Sequence, residues 1–306
     1  WSTCREIALR MIFDRVHLVF CLFERNRQSP YAMALAAAYG SIRQRTSAPL
    51  TLHVIADESV TKRTRRRLHR CLQSGDRLQF HHAKAVPEAH QLGQRLDGCF
   101  SPAIIWRAWL PEYLPHLNRC ILLDCDLLVL LDIRRVWSLN LKGKCLSAFQ
   151  GGGQKPQVHY DWIKTPREQY FRMGFCLMNL RRIRQDKAFI KERRFFLEDA
   201  WEKFKSKTMP HAGLLEQSLF NRFFSKKNCP LPFPLVQGNY IHEDPESRRR
   251  IKKMLRKHQP MILDLKGWQN RSFLSLSFWS LLLHTPWWEC ASQQKLKPSE
   301  PPQSPT

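Results

Sequence analysis

Two acids one residue apart, Asp124 and Asp126, interrupt an apolar run that reads Arg119-Cys-Ile-Leu-Leu-Asp124-Cys-Asp126-Leu-Leu-Val-Leu-Leu-Asp132. Residues 121–123 have the character of a strand buried on both faces, and 127–131 stay apolar after the break. An ionised carboxylate in such a place is costly unless a cation or hydrogen bonds compensate it, so a pair at a strand end points to a bound metal. Side chains two apart on a strand share a face. A bend between them would let Asp124 hold a ribose hydroxyl or a metal while Asp126 holds the metal squarely. Surface acids that cap a strand or pair with arginines are the competing reading, because D-x-D is a common tripeptide.

The elements that must position these acids follow from the rest of the chain. Residues 16–23 and 50–56 are apolar runs of strand length, and the Ala-rich stretch 31–42 between them has helical composition. Together they make β-α-β, the seed of a parallel sheet in an α/β fold. A basic helix is expected over 61–72, where Arg63, Arg65, Arg66, Arg67 and Arg70 form either a solvated face or an anionic contact. A short third strand is expected over 77–82, followed by a polar loop over 83–97. Residues 101–115 carry apolar positions at helical spacing up to a proline stop and lead into the acid-bearing strand. Further strands are expected over 144–149 and 170–180, a basic helix from there to about 205, another helix opening at 214, a rigid connector over 231–235, and a last strand over 261–265. Gly151, Gly152 and Gly153 make a flexible turn or a loop that approaches a ligand. Residues 273–288 read as a terminal amphipathic helix, and the Ser, Gln, Lys and Pro composition after Cys290 as a disordered tail.

Composition bounds the classes. The 306 residues allow one large α/β domain, and 50 Lys and Arg against 26 Asp and Glu give a formal charge of +24. Such an excess draws polyanions: nucleic acid, anionic lipid headgroups, phosphorylated glycans or a nucleotide. No recognisable motif interleaves aromatic with basic residues, so a nucleic-acid partner is not indicated. The ten cysteines form no C-x-x-C pair, and most read as buried thiols rather than zinc ligands or a disulfide framework. No stretch reaches the roughly 18 uninterrupted apolar residues of a membrane span. The expected location is cytoplasmic, with peripheral contact to an anionic membrane. The sequence starts at Trp1 without an initiator Met, which leaves an upstream signal or anchor open.

At this point the chain resembles the family 8 glycosyltransferases, the group that includes glycogenin and the lipopolysaccharide glucosyl- and galactosyltransferases. The stretch around Asp124 and Asp126 is similar to that family's D-x-D strand. Trp106-Arg107-Ala-Trp-Leu-Pro-Glu-Tyr-Leu-Pro resembles its approach to that strand. Gly174-Phe-Cys-Leu-Met-Asn179-Leu resembles "N-S-G-V-L-L-I-N-L", and Glu216-Gln217-Ser-Leu-Phe-Asn221 resembles "D-Q-D-x-x-N". Residues 278–287 are similar to the "W-W-x-Y-x-x-x-T-P" end of the bacterial members. The resemblance covers about residues 15–290, with 1–14 an N-terminal extension and 291–306 the tail.

The resemblance implies a GT-A fold and a retaining, metal-dependent transfer of a hexose from a UDP-sugar, glucose or galactose, to a glycan or lipopolysaccharide-type acceptor. It implies Mn²⁺ or Mg²⁺ on Asp124, Asp126 and Asp264. It places Asp124, Cys125, Asp126, Arg107, Lys266, Gly267 and Arg271 around the nucleotide, and Glu216 and Gln217 beside the reacting sugar. Several positions depart from the family pattern. Asp264 stands where the third metal ligand is a histidine, and Asn270 where a lysine meets the diphosphate. Arg172 and Met173 replace "N-S", and Ser218 replaces the second acid. A relative that keeps the fold but has lost activity is the alternative these departures raise.

The charge excess makes the first prediction. Each well-placed basic residue contributes about 1 kcal/mol at an anionic surface, and salt screens that attraction. The protein is expected to co-sediment with vesicles of anionic lipid at low salt and to leave them as salt rises; absent or salt-insensitive binding would contradict this.

Overall fold

The computed structural model describes residues 15–24, 31–95, 101–151, 155–209, 215–237, 253 and 261–264. The expectations for the extension before residue 15, the segment 273–288 and the tail lie outside these residues. The chain starts with β1 (Val16–Leu22), α1 (Tyr31–Arg43) and β2 (Leu50–Ala56), as the apolar runs predict. The basic helix follows as α2 (Lys62–Arg70), capped by the Thr61 side chain, which accepts from the Thr64 N–H. Arg63, Arg66 and Arg70 are exposed, whereas Arg65 lies over the Phe80 ring. Then comes β3 (Arg77–His82).

Where a loop was expected over 83–97, the chain forms a 3₁₀ turn and α3 (Pro87–Arg95). Its overall polarity hides an apolar side, Ala89 and Leu92, that packs into the core. The helical run before the acids is broken into α4 (Ala103–Trp106), a 3₁₀ turn (Arg107–Trp109) and α5 (Leu110–Tyr113). Pro111 has no N–H to return to the Arg107 carbonyl, so Leu110 donates to that carbonyl instead and tightens the turn. The core strand β4 (Cys120–Leu123) follows, then β5 (Leu127–Leu130) and the short α6 (Arg134–Trp137).

Beyond lie β6 (Leu146–Gln150), α7 (Gln157–Trp162) and β7 (Phe171–Met178). The single basic helix expected after β7 is two: α8 (Leu180–Gln185) and α9 (Lys187–Lys205). Asp186 divides them by accepting the Phe189 N–H as N-cap of the second. The last described elements are α10 (Leu215–Phe224), β8 (Asn228–Pro230), β9 (Leu235–Gln237) and β10 (Met261–Asp264). The connector expected over 231–235 thus lies between two short strands.

The strands make a seven-stranded sheet in the order β3-β2-β1-β4-β7-β6-β8 and a three-stranded sheet in the order β5-β10-β9. The first four strands are parallel, while β7 runs antiparallel to both β4 and β6. Alternation along β1 and β4 divides the core between the two faces of the sheet. Val19, Cys21 and Leu122 join Trp106, Trp109, Phe189 and Phe220 on one face. Leu18, Phe20, Ile121 and Leu123 join Leu35, Tyr39 and Ile42 of α1 on the other. Six of the seven described cysteines are buried. Among the described residues no helix is long and apolar enough to cross a membrane.

The three neighbouring strands β1, β2 and β3 also carry a histidine ladder. His17 Nδ1 lies 2.9 Å from His53 Nε2, and His53 Nδ1 lies 3.0 Å from His81 Nε2. His116 closes on this stack from the loop after α5. Burial, reinforced by His17, His81 and His116, pushes the His53 pKa down to about 3, and burial with His116 and Arg15 lowers His17 as well. The unfolded chain therefore takes up the proton more readily. The stability of the neutral ladder is fully present above about pH 6.5 and falls as pH drops toward 3, by up to about 1.4 kcal/mol per pH unit for His53. Urea midpoints measured across this range should show that slope, and His53→Gln should flatten it.

Candidate functional site

The site is built where β4 ends. Asp124 continues the antiparallel pairing with β7, its N–H donating to the Gly174 carbonyl at 2.7 Å. Gly174 is a glycine for a steric reason: a Cβ there would stand 2.6 Å from Asp124 Oδ2. The strand opposite thus leaves the space that the carboxylate fills. After Asp124 the chain turns through Cys125 and Asp126 and enters β5 in the second sheet. Cys125 points inward, its thiol 3.9 Å from the Cys21 carbonyl, and Asp126 is half-buried.

Arg107 reaches this point from the 3₁₀ turn. Its guanidinium pairs with Asp124 Oδ1 through one nitrogen and with Glu216 Oε1 at 3.3 Å through the other. All three side chains are close to fully buried, at 12, 12 and 9% exposure, so the pairs act in a medium where charge is expensive to leave alone. Burial pulls the Arg107 pKa down, but the fields of Asp124 and Glu216 outweigh it and the guanidinium is held above its ordinary value. Nearby, burial pushes the Cys21 thiol up to about 12, so it is neutral at pH 7.

The turn that presents Arg107 is fastened from several sides. Arg193 lies over the Trp109 ring, donates to the Ala108 carbonyl and pairs with Glu112 at 2.7 Å. Arg184 donates to the Pro111, Leu114 and Leu117 carbonyls, satisfying groups that the broken helix leaves open. Trp109 Nε1 donates to Glu88 of α3, and the Tyr113 hydroxyl to the Ala83 carbonyl.

On α10, Gln217 and Asn221 are one turn apart and face β7. Gln217 Oε1 accepts the Met173 N–H at 3.3 Å, and its Nε2 donates to the Tyr170 hydroxyl at 2.8 Å. Asn221 accepts the Phe171 N–H and donates to the Phe171 carbonyl, as a further strand would. Ser218, where an acid was expected, is buried. Gly151 adopts φ +101 with open space around it, so backbone conformation alone requires glycine there.

The sequence-predicted residues therefore divide. Asp124, Arg107 and Glu216 meet in one ionic cluster, with Cys125 and Asp126 next in the chain, and Gln217 braces the strand beside them. The β10–β5 register sets the backbone of Asp264 opposite Leu127, the residue after Asp126. Lys266, Gly267, Asn270 and Arg271 lie outside the described residues. Sequence reasoning overlooked Glu24, which is buried at the end of β1, donates its N–H to Ser59 and accepts from Thr64. The available signal was an acid directly after an apolar strand, the pattern that marks Asp124 itself.

Residues 21–282 match the model of the family described as Glycosyl transferase family 8. In Arabidopsis thaliana, a probable galacturonosyltransferase 9 is 31% identical over 114 residues, 34% of this chain and 20% of that protein. A probable galacturonosyltransferase 6 is 43% identical over 44 residues, 14% of this chain and 8% of that protein. The matches thus span a fifth or less of those relatives.

Among solved structures, galactosyltransferase LgtC in complex with donor and acceptor sugar analogs superposes with TM-score 0.62 at 18% identity, covering 93% of this chain and 98% of that one. The WbbM bifunctional glycosyltransferase gives 0.64 at 16%, covering 92% and 52%. Mouse xyloside xylosyltransferase 1 gives 0.56 at 16%, covering 83% and 98%. At these identities the structures show a shared GT-A fold.

The cluster makes a stability prediction. Arg107→Met leaves two carboxylates buried without their guanidinium and should cost about 3–5 kcal/mol in urea unfolding. Adding Asp124→Asn should recover part of that loss. Gly174→Ala should cost about 1–3 kcal/mol by overpacking against Asp124; equal stability of either single variant to the parent would contradict the geometry.

Proposed function

Because the chain belongs to glycosyl transferase family 8, we propose that it is a retaining hexosyltransferase that moves a sugar from a UDP-hexose to a hydroxyl of a glycan or glycolipid of the lipopolysaccharide type. The observation that carries this reading is the register of β5 against β10. It brings a third acid, Asp264, to the backbone position beside the Asp124–Asp126 turn. The donor is a UDP-linked hexose, glucose or galactose. UDP-galacturonate is a further candidate donor, because similar plant proteins are named galacturonosyltransferases.

Asp124, Asp126 and Asp264 would hold Mn²⁺ or Mg²⁺, cations suited to an all-oxygen donor set. When bound, such an ion neutralises the charge that develops on a departing diphosphate. Arg107 pairs with Asp124 and orients it in a buried setting. Lys266, Gly267 and Arg271, which follow β10 closely in sequence, are assigned to the phosphates. Cys125 serves through its backbone, since its thiol is turned inward.

Retention through a covalent intermediate needs a carboxylate free to attack beneath the sugar. Glu216 is tethered to Arg107, which lowers its nucleophilicity, and Gln217 carries an amide. The arrangement favours a front-face route in which the leaving phosphate helps deprotonate the acceptor. Gln217, fixed between Tyr170 and Met173, then positions the sugar.

Calorimetric titration of UDP with and without Mn²⁺ tests the proposal. Binding should depend on the metal, and Asp126→Asn should abolish the dependence. Gln217→Ala should keep UDP binding but lower donor hydrolysis by roughly 10²-fold, the loss that misplacement near a reacting centre brings. Metal-indifferent or absent UDP binding would overturn the donor site. UDP binding without turnover of any donor would make the chain a nucleotide-binding relative.

A further inference from the structure

The C-terminal edge of the sheet carries a second group of ligating side chains, at the end of β2 rather than β4. Past Ala56 the chain turns through Asp57, Glu58 and Ser59. Asp57 is 8% exposed, and its Oδ1 accepts both the Ser59 N–H at 3.0 Å and the Ser59 hydroxyl, which fixes the carboxylate. Facing it from α3 is His90, only 6% exposed, whose Nε2 is buried with no hydrogen-bond partner among the described residues. One ring nitrogen of His90 and one carboxylate oxygen each from Asp57 and Glu58 lie within 4.8 Å of one another. Among the described residues no other group of three His, Cys, Asp or Glu side chains comes together in this way.

The geometry points to a divalent-cation site formed by Asp57, Glu58 and His90, separate from the acids that follow β4. Two observations support it independently. Two carboxylate oxygens converge with an imidazole nitrogen within reach of one ion, and Glu58 already draws a cation, Lys84. A buried imidazole nitrogen left without a partner is costly, and a metal at its lone pair removes that cost. The donors are one imidazole and two carboxylates, a mixed set that suits Zn²⁺ better than Mg²⁺, with water completing the shell. Lys84 now pairs with Glu58; both side chains are more than half exposed, so the ammonium can swing away when a stronger cation arrives.

The site would act as a staple. It ties the end of β2 to α3, and the Glu24 N–H, which donates to the Ser59 hydroxyl, carries the tie to the end of β1. Since β1 lies between β2 and β4, the staple would steady the edge on which Asp124 stands.

The test is Zn²⁺ uptake by the full chain, followed by equilibrium dialysis with accessible thiols alkylated and Mg²⁺ in excess. One tightly held Zn²⁺ is expected. His90→Gln and Asp57→Asn should each weaken it by more than about tenfold, at least the loss that an outer-shell partner brings. Lys84→Gln should tighten it by removing the competing cation, and Asp126→Asn should leave it unchanged, which separates this site from the donor site. Should His90→Gln fail to fold, as judged by circular dichroism, Asp57→Asn and Lys84→Gln still decide. Co²⁺ substituted for Zn²⁺ should give a spectrum free of thiolate charge transfer. No tight Zn²⁺, uptake indifferent to Asp57→Asn and Lys84→Gln, uptake lost in Asp126→Asn, or a thiolate band would each overturn the site.

Discussion

Everything around the candidate site hangs on a guanidinium placed between two buried carboxylates. Arg107 meets Asp124 and Glu216 where none of the three is well solvated, so each charge depends on the others for compensation. The residues come from a 3₁₀ turn, the end of β4 and the first turn of α10, which are far apart in sequence. Arginine suits this task because its planar fork offers separate N–H groups in fixed directions, one toward each acid. A lysine would bring a single point charge and no such division. The cluster therefore ties three elements together at the sheet edge.

That arrangement explains features that packing alone does not. The helix before β4 breaks around Arg107, where Pro111 has no N–H to return and Leu110 bonds the Arg107 carbonyl instead. Arg184 and Arg193 then take up carbonyls of the interrupted helix, which makes two more arginines structural despite the strongly basic surface. Gly174 does the complementary work on β7 by leaving a space where any side chain would collide with Asp124. Asn221 and Gln217 pin the neighbouring strand residues through main-chain hydrogen bonds, so the wall opposite the acids is held by directional contacts as well as apolar burial.

Much of this was legible in the sequence, and the limits have physical causes. The strands announced themselves because buried parallel strands are continuous apolar runs, and β1 and β2 appear at the expected residues. The acid pair stood out because carboxylates are rare in such runs. Arg107 was marked as a nucleotide contact, yet its partners Asp124 and Glu216 are tertiary, and no local pattern reveals a pairing to a residue 109 positions away. The helix α3 escaped because Pro87, Glu88, His90, Gln91 and Arg95 make its composition polar, while its two-residue apolar side is too narrow to register as periodicity. The apolar stretch after Asp126 reads as one strand continuing, and only the turn at Cys125 assigns it to a second sheet.

The same sheet edge offers two acid sets with different chemistry, and the difference follows from single residues. In the proposed donor set, aspartate at position 264 replaces the histidine that the family resemblance leads one to expect, so every side-chain donor is an oxygen. Such a set favours hard cations that bind and release with the nucleotide diphosphate they accompany. At the end of β2 the imidazole of His90 joins two carboxylates and shifts preference toward a borderline metal held by protein ligands. Two sites of equal preference on one edge would compete for the same ion. Nitrogen in one proposed set and its absence from the other would let a resident ion and a substrate-borne ion occupy the edge together.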